Sequence, residues 1–152
     1  MQRLMKLIQL TVMCGAVATA ATTVFAQGRD FAGSWKLDAE KSATTNAPPL
    51  VIITLTEKEF AARFGSETAQ PMLFNLDGSE RVIKERGVTT KAAWKGDKLV
   101  ASVKMPAPAT DEDGKPGPDS VTFSREGAWL VLEATMPDHG TTKLYFKKAS
   151  VK

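Results

Sequence analysis

From Gln27 onward the chain is a succession of short apolar runs that alternate with period two, broken by turn residues roughly every ten positions. Side chains of a strand point alternately to its two faces, so such a rhythm buries one face and wets the other; a helix needs a period of 3.6. Gly33 to Asp38 opens the pattern. Leu50 to Glu57 follows, with Val51, Ile53 and Leu55 on one face. Phe60, Ala62 and Phe64 alternate beyond a tight turn at Glu57 to Glu59, and Met72, Phe74 and Leu76 run up to Asp77-Gly78. The second half is more regular. Val88, Thr90, Ala92 and Trp94 share a face, Lys95-Gly96-Asp97-Lys98 turns, and Leu99, Ala101, Val103 and Met105 return. Val121 and Phe123 lead to a turn at Arg125-Glu126-Gly127. Trp129 to Met136 follows, then Asp138-His139-Gly140 and the closing Thr142, Leu144 and Phe146.

The pattern predicts an antiparallel meander of eight or nine strands. Its one helical candidate, Asp38 to Thr44, is a single short turn ended by Asn46-Ala47-Pro48-Pro49. Closing such a meander into an up-and-down barrel removes its exposed edges; a two-sheet sandwich is the alternative. Pro106 to Asp119 differs in kind, holding proline, glycine and acids but no apolar residue larger than Ala. It reads as a long surface loop between strands, a length uncommon without a role.

The first 26 residues read as a secretory signal peptide. Arg3 and Lys6 form the charged start, Leu7 to Val24 the uncharged apolar stretch, and Val24-Phe25-Ala26 a cleavage site before Gln27. The stretch approaches the ~18–20 residues that span a bilayer. Its many Ala and Thr residues and the cleavage site favour a removable signal over an anchor. Lipid attachment at Cys14 is disfavoured by the bulky Met13 before it. The expected organisation is therefore a signal at 1–26 and one domain at 27–152, periplasmic or secreted, with no stable membrane insertion after cleavage.

Removing Arg3 and Lys6 lowers the net charge from +3 to +1, so the basicity of the whole chain gives no argument for nucleic-acid binding. It also removes the lone cysteine, which excludes a disulfide framework and leaves core burial to hold the domain together. One His cannot build a His/Cys zinc site. No P-loop, dinucleotide fingerprint, H-E-x-x-H or G-x-S-x-G motif is present. His139 beside Asp138 sits in a turn between Pro137 and Gly140, poorly placed to activate a nucleophile. Glu57, Glu59, Glu67, Asp77 and Glu80 fall mostly in turns, where acids are ordinarily solvated. Asp111-Glu112-Asp113-Gly114 with Asp119 has its glycine too early for a calcium loop of the EF-hand kind. No catalytic residue, cofactor or metal ligand is expected.

Phe31-Ala32-Gly33-Ser34-Trp35-Lys36-Leu37-Asp38 resembles the G-x-W opening of lipocalin-like and other calycin barrels, in which the Trp plugs the closed end. More closely, the chain resembles exported bacterial lipocalin-like proteins of unknown function. The match comprises Gly33, Trp35, Leu37, Asp38, Lys41, Ser42 and Pro48, then Leu76-Asp77-Gly78-Ser79-Glu80 and the Lys91 to Leu99 hairpin. It covers nearly all of residues 31–148. It implies a lipocalin-like barrel with Trp35 as its floor. The T-D-Y motif of true lipocalins is missing, as is an arginine in the last strand; Lys143 or Lys147 is left as the candidate cation over the Trp35 ring.

Seven aromatics fall on inward faces: Trp35, Phe60, Phe64, Phe74, Trp94, Phe123 and Phe146. Either they fill the barrel, or they line a lumen for one small apolar molecule, as barrels of this size can. The expectation is a non-catalytic binding protein with such a ligand, and the competing reading is a filled structural or interaction module of the cell envelope.

Overall fold

The computed structural model describes residues 30–44, 46–105, 120–136 and 140–150. The expected signal peptide with Cys14, the 106–119 segment and Asp138-His139 lie outside the described residues. The remaining chain forms β1 (Gly33–Leu37), α1 (Ala39–Ser42), β2 (Leu50–Leu55), β3 (Glu59–Phe64), β4 (Met72–Asn75) and β5 (Arg81–Ile83). It continues with β6 (Val88–Lys95), β7 (Lys98–Lys104), β8 (Ser120–Glu126), β9 (Trp129–Met136) and β10 (Gly140–Lys148).

All ten strands belong to one continuous antiparallel sheet, ordered β4-β3-β2-β1-β10-β9-β8-β7-β6-β5. Among the described residues the count is ten, not eight or nine. The extra strand is β5, whose three residues are too few to display an alternation. The sheet curls until β4 approaches β5 and β6, so a nearly closed barrel replaces the sandwich alternative. No backbone ladder joins β4 to β5 or β6. Side chains close the seam instead. The fully buried Thr90 hydroxyl of β6 donates to the Leu73 carbonyl of β4 at 2.5 Å, and Arg81 of β5 pairs with Glu59 of β3.

Local chemistry sets the register. The β6–β7 and β8–β9 hairpins each have a two-residue loop, Gly96-Asp97 and Gly127-Ala128, whose glycines take φ of +63° and +60°. Only glycine enters that region freely, which holds these hairpins in phase. Alternation then carries Phe60 opposite Phe74, Ala92 opposite Ala101 and Leu99 opposite Phe123 on the inner face, all essentially buried. Burying one such Phe contributes roughly 2–3 kcal/mol.

Helix α1 is capped at both ends. The Asp38 carboxylate accepts from the Lys41 N–H at 2.9 Å, and Ala43, at φ +51°, turns its own N–H back to the Ala39 and Glu40 carbonyls. Ser42 ties the helix to the sheet, accepting from the Tyr145 N–H at 2.9 Å. The segment after α1, Thr44 and Asn46 to Pro48, borders one end of the barrel. Among the described residues no helix is long and apolar enough to cross a membrane.

Candidate functional site

The barrel interior divides into a closed half and an open half. At the closed end the Trp35 indole N–H donates to the Phe31 carbonyl at 2.8 Å, and both side chains are buried. The Arg125 guanidinium lies 4.8 Å from the centre of the Trp35 ring, and Trp94 meets Phe31 edge-on at 5.6 Å. Arg125 also donates to the carbonyls of Asp30 (2.6 Å), Gly127 (3.0 Å) and Trp129 (3.1 Å). One side chain thus stitches Asp30, just before β1, to the β8–β9 turn across the Trp35 ring. Trp35 forms the floor, as its resemblance implied.

The expected cation is corrected. Lys143 and Lys147 share the outward face of β10 with Tyr145, because Leu144 and Phe146 take the inward one. Lys143 sits 5.3 Å from the Tyr145 ring, and Lys147 sits 4.6 Å from the Trp129 ring. From the last strand Lys148, not either of these, approaches Trp35, at 5.4 Å. Arg125 is the closer cation, and it comes from β8. Its signal was in the sequence: it continues the inward series Val121, Phe123, Arg125.

Above this floor the open half holds a cavity of about 500 Å³. Phe74, Phe123, Leu132, Leu144 and Phe146 form its depth and are almost covered by their neighbours. Phe64, Met72, Val103, Val121 and Ala134 are half-buried along its walls. Its rim comprises Thr44, Asn46, Ala47 and Pro48 from the segment after α1, with Met105 at the end of β7 and Thr142 on β10. Met105 is 45% exposed, an unusual solvent contact for so large an apolar side chain.

The seven aromatics expected inside therefore separate by height. Phe64, Phe74, Phe123 and Phe146 border the cavity. Trp35 and Trp94 do not, because they belong to the closed end. Phe60 does not either: its ring is fully buried against Phe123 at 4.9 Å and Phe74 at 5.8 Å, filling the space beneath. Ala47 and Pro48, which contribute to the rim, were not singled out by the alternation, whereas Met105 ends the alternating series Leu99, Ala101, Val103.

Among the described residues the titratable groups lie elsewhere. Asp38 is held below the usual carboxylate range, first by its hydrogen bond to Lys147 and then by the Lys41 N–H. Asp77 is lowered by the Ser79 hydroxyl and backbone N–H, within the β4–β5 turn. Lys143 is raised above the ordinary lysine value by the Glu126 carboxylate and Tyr145. All three are exterior groups in ion pairs or turns. Glu57, Glu67, Asp77 and Glu80 are exposed in connections, while Glu59 sits in β3 facing Arg81. Among the described residues no three His, Cys, Asp or Glu side chains gather where they could hold a metal ion.

Sequence comparison gives no relatives: no family model matches the chain, and no curated protein matches it. Solved structures do. The REP1-NXSQ fatty acid transporter superposes with a TM-score of 0.56 at 14% identity, over 82% of this chain and 99% of that one. The fold is a lipocalin-like barrel. The wild-type fluorescent protein UnaG gives a TM-score of 0.51 at 21% identity, over 80% and 98%. Secretory abundant heat soluble protein 4 from Ramazzottius varieornatus gives 0.51 at 17%, over 81% and 97%. At such identities architecture is what the chains share.

Proposed function

We propose that this protein is an exported, non-catalytic carrier that holds one small apolar molecule in the open half of its barrel. The observation that carries the reading is the cavity itself: about 500 Å³, walled by aromatic and aliphatic side chains, over a floor packed around Trp35. Sites for small molecules typically enclose ~300–1,000 Å³ with mostly apolar walls. A filled structural module, the competing reading, needs its rings to close that space. Similarity to a barrel described as a fatty acid transporter supports the carrier reading by analogy of fold. Residues 1–26 support export, through their charged start and apolar stretch.

Native mass spectrometry on protein taken from the cell envelope of its own organism tests this. The expected spectrum shows a stoichiometric adduct of a few hundred daltons on a chain that begins at Gln27. A bare mass with no adduct, together with no saturable binding of apolar probes, would overturn the carrier reading. A dominant form retaining residues 1–26 would overturn the export.

A further inference from the structure

We propose, resting on that carrier reading, that the ligand is an uncharged amphiphile: an apolar body inside the barrel and one neutral hydrogen-bonding head, such as a hydroxyl or amide, at the rim. Every described residue that borders the cavity is uncharged. The polar ones among them are Thr44, Asn46 and Thr142, all at the rim, while the depth is hydrocarbon and aromatic ring. Thr44 and Asn46 already form a turn, the Thr44 hydroxyl accepting from the Asn46 N–H at 3.1 Å. That hydroxyl keeps a proton to donate, and an Asn side chain offers both an amide donor and a carbonyl acceptor.

Such a set satisfies a neutral head and does nothing to offset a charge. An ionised carboxylate brought there gives up part of its water without gaining a cation among the described lining residues, which weakens its binding. Arg125, turned into the barrel from β8, is engaged at the opposite end by three carbonyls and the Trp35 ring, and Arg81, which shares a face with the buried Thr90, is paired with Glu59. A buried acid would instead bind as its protonated, neutral form, which makes the discrimination dependent on pH.

The test displaces bound Nile red, a neutral apolar fluorophore, from the purified protein with dodecanol, dodecanoate and dodecylammonium, which differ only in their heads. At about pH 8 dodecanol is expected to displace the dye at a concentration at least about tenfold lower than either ion requires. Lowering the pH to about 4, near an ordinary carboxyl pKa, should close most of the gap for the acid and none for the amine. Thr142→Arg, at an exposed rim position, should improve dodecanoate relative to dodecanol by about fivefold or more. Dodecanoate binding as tightly as dodecanol at the higher pH, or a Thr142→Arg protein that leaves dodecanoate unimproved relative to dodecanol, overturns the neutral-head proposal while the carrier reading stands. Failure of Nile red and of every dodecyl compound to bind overturns the carrier reading, and this proposal with it.

Discussion

Replacing Arg125 by Met keeps much of the side-chain stem at the closed end and deletes only the guanidinium. Three carbonyls then lose a donor. The bond to Trp129 is partly buried, and at a typical net value its loss costs about 1 kcal/mol. Those to Asp30 and Gly127 are exposed, water replaces them in part, and about 0.5 kcal/mol each is a fair share. The cation over the Trp35 ring adds about 0.5–1 kcal/mol. Arg125→Met should therefore lower stability by about 2.5–3 kcal/mol. Urea unfolding followed by far-UV circular dichroism measures it, since the indoles themselves are perturbed. Arg125→Lys should recover only part of the loss, because an ammonium keeps the charge but cannot fork to three carbonyls. In a double-mutant cycle with Trp35→Phe, the coupling should be about 0.5–1 kcal/mol. A loss below about 1 kcal/mol for Arg125→Met, or a lysine variant as stable as the parent, would refute the stitched-floor account.

Three other substitutions probe the frame. Ala43→Gly should stabilise the protein by about 0.5–1 kcal/mol, since Ala43 sits at φ +51° where a Cβ is unfavourable; an unchanged or lower denaturation midpoint would contradict this. Thr90→Val removes the donor that bridges the β4–β6 seam and should cost about 1–2 kcal/mol, with hydrogen exchange rising first in β4 and β5; uniform or absent change would show the seam to be held by other contacts. Asp38 has a lowered pKa when folded, so its ion pair with Lys147 stabilises the fold above the unfolded value near 3.8 and is lost as pH falls through the lower folded value. Asp38→Asn, which keeps a capping oxygen, should flatten that acid limb, and an unchanged limb would remove Asp38 from the account.

Much of the barrel was legible because alternation reports which face of a strand is buried. The β6–β7 hairpin shows why: Val88, Thr90 and Ala92 are buried on one face, and Gly96 supplies the turn that pairs Lys95 with Lys98. Alternation does not report height along the barrel axis. Phe60 and Phe64 share a strand and a face, yet one is sealed beneath the cavity and the other borders it. That difference depends on the tilt and stagger of the whole sheet, which no local pattern carries. Arg125 escaped notice because its charge and the following Gly127 suggested a turn, although its place in the series after Val121 and Phe123 turned it inward. Ala47 and Pro48 reach the rim from a connection without period, and only the packing of α1 against β10 places them there.

The carrier account stands or falls on whether the cavity takes a ligand. Ala134 borders it, opposite Val121 on one neighbouring strand and Thr142 on the other, and Val121 borders it too. Nile red should bind the parent saturably at one molecule per chain. Joint replacement Val121→Phe and Ala134→Phe should weaken binding at least about tenfold, with stability held within about 1–2 kcal/mol because the added rings enter open space. No saturable binding by the parent, with the double variant destabilised by overpacking, would contradict the account and leave a filled structural barrel in its place.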